Sequence, residues 1–167
     1  MTVTRRVSSD APWEQAVGYS RAVAAGDFVF VTGSTSVEHG EVVHEGNARA
    51  QAARAIANVA AALTRLGADL TDVVRTRMFV TDISRWREIG DAHREAFGDV
   101  MPATSMVQVV ALIDPRLLVE VEAVAYKPGI GGAAADADAG AGAGSAGALD
   151  EAVGDRPAAA AGLGWPG

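Results

Sequence analysis

Glu120 is the residue whose type and position best suit it to chemistry. It stands in residues 117–126, where side chains alternate between two faces as they do in a β-strand. One side of that strand is apolar throughout and consists of Leu117, Val119, Val121, Ala123 and Ala125. The other side carries Glu120 and is too apolar for open solvent and too charged for a core. A carboxylate on such a face is partly desolvated, which raises its pKa toward the range useful for deprotonating water.

A second interpretation of Glu120 stays open on residue types alone. Its carboxylate could form an ion pair across an interface with Arg75 or Arg77, which fall on a neighbouring strand. Glu122 shares the face of Glu120 but lies two residues further on, roughly 7 Å away, so we expect it to serve the interface. Both interpretations place the polar face of this strand at a boundary between molecules.

Other kinds of catalytic site are not favoured by the sequence. There is no cysteine, which excludes a thiol nucleophile and a Cys-ligated metal. His39, His44 and His93 are far apart and lack metal-ligand spacing, and no glycine-rich phosphate-binding motif is present. Nothing in the spacing of Ser105 and His93 argues for a serine-hydrolase triad. We therefore expect no metal site.

Composition predicts one small cytoplasmic domain. The chain has 167 residues, 49% of them hydrophobic, which suffices for one core. The lack of cysteine removes any need for an oxidising compartment, and neither a signal peptide nor an apolar run near 18 residues is visible. A formal net charge of −7 opposes nucleic-acid binding. We expect neither a membrane nor a nucleic acid as partner.

The composition changes abruptly after Pro128. Of the 39 residues from 129 to 167, 25 are alanine or glycine, and the remaining apolar residues are scattered. Such a segment cannot bury enough surface to offset its ordering entropy. An alanine-rich helix is the alternative, but each glycine within it would cost about 1 kcal/mol. We predict a domain over residues 1–128 and a disordered tail over residues 129–167.

Periodicity and turn signals predict the element order ββ, helix, β, helix, ββ. The first two strands form a hairpin within residues 22–32, with Gly26 and Asp27 at its turn. Asn47 is a good N-cap and Gly67 a good C′ residue for the first helix. The remaining elements are a strand over 73–80, a helix from 86 that ends at Gly98, and strands over 105–112 and 117–126.

The two predicted helices should pack on one face of the sheet, which makes the fold class α+β. On strand 73–80 the helix side would carry Val74, Thr76, Met78 and Val80, and the free side Arg75, Arg77 and Phe79. A half-polar free face suits a wet interface between subunits. We therefore predict a homo-oligomer with sites at subunit boundaries. The alternative is a monomer with a half-polar sheet face.

A known family carries the motifs of this chain in the same order. They are Gly18-Tyr19-Ser20, Ala25-Gly26-Asp27, Phe30-Val31-Thr32-Gly33, Gln51, Asn58, Leu66-Gly67-Ala68, Thr81-Asp82, Phe97-Gly98, Pro102-Ala103-Thr104-Ser105 and residues 119–125. On these residues the stretch 19–127 resembles the RidA/YjgF reactive-intermediate deaminases. The resemblance implies a chorismate-mutase-like fold and a homotrimer with three clefts between neighbouring subunits.

The resemblance also implies an activity and a set of site residues. Family members with the full motif hydrolyse short-lived imines and enamines such as 2-aminoacrylate to the keto acid and ammonia, a form of metabolite damage control that needs no metal or organic cofactor. Glu120 matches their catalytic carboxylate. Tyr19 matches a pocket tyrosine, with core packing as the alternative, and Gly33 matches a site of close backbone approach, with a simple turn as the alternative. Thr104 and Ser105 fall beside the implied cleft.

Thr104 is the main departure from the family pattern. The family has there an arginine that grips the substrate carboxylate. Only a guanidinium offers a carboxylate a planar bidentate fork, so its replacement by a hydroxyl would cost about 2 to 3 kcal/mol of binding. Gly90 and His93 replace a family asparagine and tyrosine. His93 is retained as a candidate substrate-binding residue, although a hydrogen-bonded histidine on the inner edge of its helix is the alternative.

We therefore expect a hydrolase resembling the 2-iminobutanoate/2-iminopropanoate deaminases that acts on a small C=N metabolite. Its substrate should differ from 2-aminoacrylate because of Thr104. The alternative is a non-catalytic trimer that binds a small metabolite in the same clefts. A third interpretation, a ribonuclease, is opposed by the acidic charge and the lack of a basic stripe.

Overall fold

The centre of this protein is a six-stranded mixed sheet, seen in a computed structural model that describes residues 4–9 and 11–132. The strands are β1 (Thr4–Val7), β2 (Ala22–Ala25), β3 (Phe28–Ser34), β4 (Val37–Glu38), β5 (Glu41–Val42), β6 (Val73–Val80), β7 (Ala103–Gln108) and β8 (Val119–Tyr126). The helices are α1 (Pro12–Val17), α2 (Ala48–Leu66) and α3 (Trp86–Phe97). The sheet order is β1-β2-β3-β8-β6-β7, and β4 and β5 form a separate pair. Only the β6–β7 pairing is parallel.

The long helix α2 has the ends that its sequence predicts. The Asn47 side chain accepts a hydrogen bond from the Ala50 N–H at 3.0 Å, which satisfies a backbone donor that the first turn would leave free. Gly67 follows the helix with φ of 88°, a conformation that costs glycine nothing. No helix within the described residues is long and apolar enough to cross a membrane.

The core lies between one face of the sheet and the helices α2 and α3. The apolar side of β8 is fully buried there, as its alternation predicts. Buried side chains that meet it from the helices include Ile56, Val59, Leu63, Ile89 and Phe97. The α+β architecture with these helices on one face is therefore confirmed.

The strand predicted over residues 105–112 lies instead over 103–108. β7 pairs only with β6, from Arg75 opposite Ala103 to Val80 opposite Gln108. Since β6 ends at Val80, no backbone partner remains for a longer strand. The following residues form the loop into β8, which begins at Val119 rather than at residue 117.

Strand β6 contains a bulge that the alternation pattern did not predict. The register with β8 shifts between Val73 and Arg75, so that Val73 is 2% exposed and Val74 is 45% exposed. The prediction that Val74 lies on the helix side is therefore wrong. An extra residue at a bulge reverses the alternation on one side of it.

Two elements near the start of the chain were not predicted. β1 pairs with β2 at the sheet edge, and the six-residue helix α1 follows it. A proline at its start and Gly18 at its end, with φ of 83°, are the local signals of α1. One turn and a half of helix carries too few residues for periodicity to show.

The chain stays packed beyond Pro128. Ile130 is buried in the core cluster, and the Arg5 Nη2 donates a hydrogen bond to the Ile130 carbonyl at 2.7 Å. The domain boundary at residue 128 remains a prediction. Residues 133–167, which hold most of the predicted tail, lie outside the described residues.

Candidate functional site

Glu120 lies on the sheet face that the helices leave uncovered. It sits on β8, between β3 and β6, directly opposite Phe79. Burial raises the pKa of the Glu120 carboxyl, the charge of Glu122 raises it further, and the charge of Arg21 opposes both. Within the described part of the chain, its carboxylate accepts no hydrogen bond and forms no ion pair. A half-buried carboxylate with this freedom can take a proton from a bound water.

Gly33 gives the Glu120 side chain the space it occupies. The pairing of β3 with β8 is irregular between Val31 and Ser34, and Gly33 lies inside that irregularity. A Cβ at position 33 would overlap the Oε1 and Cδ atoms of Glu120. The requirement for glycine here is therefore one of space, because the residue has no positive φ.

Arg21 lies next to this pair of residues. Its Nη1 donates to the Gly33 carbonyl at 2.8 Å, and its Nη2 donates to the Tyr19 hydroxyl at 3.4 Å. Its Nε lies 3.4 Å from the Glu14 carboxylate, and its side chain is only 16% exposed. The guanidinium is thus held by these three groups, and its positive charge acts to lower the pKa of Glu120.

Glu14 is the buried anchor of Arg21. Its carboxylate accepts hydrogen bonds from the Ser8 and Ser9 hydroxyls and from the Ser9 N–H at 3.0 Å. Burial acts to raise the pKa of Glu14, but these hydrogen bonds and the charge of Arg21 outweigh it and hold the pKa below its ordinary value. A carboxylate that stays ionised in this position keeps the guanidinium in place.

The sequence interpretation missed Arg21 and Glu14. The signals were present but weak: Arg21 directly precedes the apolar strand β2, and Glu14 stands in a helix of six residues. The two come together only in the folded chain, where the Arg21 Nε lies 3.4 Å from the Glu14 carboxylate, and no local pattern predicts this contact. Tyr19, chosen for its family match, does lie in this group.

Glu122 takes the ion pair that was considered for Glu120. Arg77 lies opposite Glu122 in the β6–β8 register, and its Nη1 is 3.3 Å from the Glu122 carboxylate. Arg75 lies opposite Val124. Within one chain Glu120 therefore forms no ion pair with Arg75 or Arg77, and an ion pair across an interface stays a prediction.

The uncovered face also holds a shallow hollow of about 200 Å³ at Glu122. Its lining includes Phe30, Thr32, Arg75, Arg77, Glu122 and Val124. The aromatic rings of Phe28, Phe30 and Tyr126 pack against one another next to it and remain 42 to 48% exposed. Three neighbouring exposed rings rimmed by charged groups form the kind of patch that another molecule covers.

Thr104 and His93 lie on the other side of the sheet. In the parallel register Thr104 stands opposite Thr76, whose side chain is buried on the helix face. The Thr76 hydroxyl lies 2.9 Å from the Thr104 hydroxyl and 2.9 Å from the His93 Nε2. Burial lowers the pKa of His93. Within one protomer these residues form a cluster separated from Glu120 by the sheet.

Ser105 belongs to the uncovered face instead. It stands opposite Arg77 in the register of β6 and β7, so it points to the side of Glu122 rather than that of Thr104. The structure thus divides the predicted site into two groups. Tyr19, Gly33 and Glu120 lie together, and Thr104 and His93 lie together.

The described residues contain no group of three or more His, Asp or Glu side chains that could hold a metal ion.

Comparison with known proteins gives one consistent family. The family model described as endoribonuclease L-PSP matches residues 9–127. An uncharacterized protein of Streptomyces coelicolor is 37% identical over 126 residues, covering 75% of this chain and 94% of that protein. The human 2-iminobutanoate/2-iminopropanoate deaminase is 32% identical over 128 residues, covering 74% and 91%. The 3-aminoacrylate deaminase RutC of Acinetobacter baylyi is 32% identical over 109 residues, covering 65% and 86%.

Solved structures agree with the sequence matches. A member of the YjgF/YER057c/UK114 family from Mycobacterium tuberculosis superposes with a TM-score of 0.68 at 51% identity, covering 74% of this chain and 98% of that one. TdcF of E. coli with bound serine superposes with a TM-score of 0.61 at 26% identity, covering 74% and 94%.

Proposed function

This chain belongs to the endoribonuclease L-PSP family, the YjgF/RidA proteins, and on that premise we propose that it is a metal-free hydrolase of a small imine or enamine in which Glu120 activates water. The observation that carries the proposal is the state of Glu120. Its carboxylate is half-buried and without an ion-pair partner in the described chain, and it rests against a glycine that leaves room for it. Burial of this kind favours a base, whereas a structural carboxylate would be paired like Glu122.

The reaction needs one group that moves a proton in both directions. Glu120 takes a proton from water as the water oxygen bonds to the carbon of the C=N group, and it returns that proton to the nitrogen as the C=N π bond breaks. Glu120 then takes the hydroxyl proton of the resulting carbinolamine and passes it to the amine, so that the C–N bond breaks, ammonia leaves and the carbonyl product forms. The raised pKa suits Glu120 to both accept and return the proton.

The complete site requires a second copy of the chain. Glu120 and Thr104 lie on opposite faces of one sheet, so a cleft that contains both must take them from different protomers. The exposed rings of Phe28, Phe30 and Tyr126 supply a surface for such packing. We propose the homotrimer with clefts between subunits that the family resemblance implies.

The proposed substrate is not the usual α-carboxylate imine. Relatives named for 2-iminobutanoate, 2-iminopropanoate or 3-aminoacrylate deamination act on acids. In this chain Thr104 stands where a bidentate cation would grip such an acid, and its hydroxyl is engaged with Thr76 and Pro102. The substrate class is therefore a small C=N compound held by contacts other than an arginine at position 104.

The test measures ammonia release from a panel of freshly generated imines by wild type, Glu120→Gln and the matched control Glu122→Gln. We expect Glu120→Gln to lose about 100-fold or more in rate and the control to keep most of its activity. Thr104→Arg should raise activity toward 2-aminoacrylate. The proposal is wrong if wild type releases no ammonia from any imine of the panel, or if Glu120→Gln is as active as wild type.

A non-catalytic metabolite-binding trimer is the second candidate. The observation in its favour is the same position 104, since the substitution removes a charged contact on which the acid-directed members of the family depend. It predicts saturable binding of a small molecule by wild type. It also predicts that neither wild type nor Glu120→Gln converts that molecule to a product. A ribonuclease remains opposed by the net charge of −7.

A further inference from the structure

A chain of hydrogen bonds runs across the helix face from α3 to the edge of the sheet. The His93 Nε2 lies 2.9 Å from the Thr76 hydroxyl, which lies 2.9 Å from the Thr104 hydroxyl. The Thr104 hydroxyl donates to the Pro102 carbonyl at 3.0 Å. We call Thr76, His93 and Thr104 the hydroxyl cluster.

The number of hydrogens on each group decides which group donates and which accepts along the hydroxyl cluster. A carbonyl oxygen only accepts, so the single hydroxyl hydrogen of Thr104 is used on Pro102. In the arrangement that keeps this bond, Thr104 accepts from Thr76, which uses the single hydrogen of Thr76. Thr76 in turn accepts from His93, which places the ring hydrogen on Nε2.

The polar atoms left over in the hydroxyl cluster are acceptors. Thr104 keeps one unused lone pair, and its side chain is exposed at the sheet edge. The neutral ring of His93 keeps the lone pair of Nδ1, and the ring is held in place by Phe97 at 4.6 Å between centroids. Burial lowers the pKa of His93, so the ring stays neutral near pH 7. No residue in the described ranges donates to either lone pair.

We propose that the hydroxyl cluster is a subsite for a hydrogen-bond donor, so that the non-reacting end of the ligand is a neutral N–H group such as a carboxamide. This inference rests on the proposed function only in placing the subsite in the same cleft as the partner subunit's Glu120. A carboxamide NH2 can donate to Thr104, whereas a carboxylate would set its own lone pairs against those of the cluster. An acid-selective site has therefore become an amide-selective one.

The test compares a pair of ligands that differ only in this group, 2-oxopropanamide and 2-oxopropanoate, by titration calorimetry with the full chain. We expect the amide to bind wild type about tenfold more tightly. Thr104→Val keeps the shape and removes the lone pair, so it should abolish the preference, and Thr104→Arg should reverse it. Thr64→Val, at an exposed position on α2, is the matched control and should keep the preference.

The outcomes separate this inference from the proposed function. Equal or tighter binding of the acid to wild type, a preference that survives in Thr104→Val, or no binding of either compound overturns the subsite. An amide preference in a protein that hydrolyses no imine supports the subsite and overturns the enzyme. Imine hydrolysis that depends on Glu120, in a protein that does not prefer the amide, supports the enzyme and overturns the subsite.

Discussion

Gly33 lies against the carboxylate of Glu120 so closely that position 33 has no room for a Cβ. The two residues sit on neighbouring strands, β3 and β8, at the point where the pairing of those strands is irregular. Because the atoms in the way are the far end of a flexible side chain, a larger residue would move Glu120 rather than the backbone. The geometry of the carboxylate thus depends on a residue with no side chain.

Gly33→Ala should therefore reduce activity more than stability. We expect kcat/KM to fall about 10- to 100-fold, because a displaced base no longer meets its water, and the free energy of unfolding to change by less than about 1 kcal/mol. Gly131→Ala is the contrasting variant, since its Cβ would meet the Gly26 carbonyl of the backbone. That variant should lose stability. The prediction fails if Gly33→Ala unfolds the protein or leaves its rate intact.

The rate should depend on pH through the raised pKa of Glu120. The base works when it is deprotonated, so kcat/KM should rise with pH and level off above an apparent pKa higher than the ordinary glutamate value. Since the charge of Glu122 raises the pKa of Glu120, the rise of kcat/KM should occur at lower pH in Glu122→Gln. If the rise stays at the same pH in Glu122→Gln, another group controls the rate.

The same shift predicts how stability responds to pH. The folded protein binds the Glu120 proton more tightly than the unfolded chain does, so this residue's effect on stability becomes unfavourable as pH rises through the ordinary glutamate range toward the raised pKa. Above that range Glu120→Gln should be more stable than wild type, and the difference should disappear at acid pH. Urea unfolding of wild type and Glu120→Gln at pH 4 and pH 8 measures the difference in their free energies of unfolding at each pH. A difference independent of pH would contradict the prediction.

The buried pair of Glu14 and Arg21 should be strongly coupled. Arg21→Met leaves an ionised carboxylate in a site where the Glu14 side chain is 4% exposed, and we expect a loss of about 3 kcal/mol. A double-mutant cycle with Glu14→Gln should give a coupling energy of about 1 to 3 kcal/mol. The exposed pair of Arg49 and Glu95 is the control, for which we expect less than about 1 kcal/mol. Additive losses at Glu14 and Arg21 would refute the anchoring role.

The uncovered sheet face should hold the subunits together. Phe30 is 48% exposed in a single chain, so Phe30→Asp should leave the protomer folded but prevent its association. Light scattering after size-exclusion chromatography should give the mass of a trimer for wild type and of a monomer for Phe30→Asp. Val17→Asp, at an exposed apolar residue of α1, is the control and should stay trimeric. A monomeric wild type would remove the cleft and the site that depends on it.

Elements with local signals were predictable from the sequence. α2 lies between its predicted cap Asn47 and Gly67, because capping and a helical apolar spacing act within a few residues. The alternation along β8 predicted which of its faces is buried, and so placed Glu120 on the uncovered one. The family motif then singled out Glu120 from its neighbour Glu122.

The environment of Glu120 could not be read in the same way, because it depends on strand register and on contacts between distant segments. Arg21 reaches Gly33 because β2 pairs with β3, and Glu14 holds the guanidinium there. The parallel pairing of β7 with β6 places Thr104 beside Thr76, on the opposite face from Glu120. Side-chain alternation assigns residues to the two faces of each single strand. Which residues of different strands lie side by side on the same face depends on the pairing between the strands, and that pairing exists only once the whole sheet has formed.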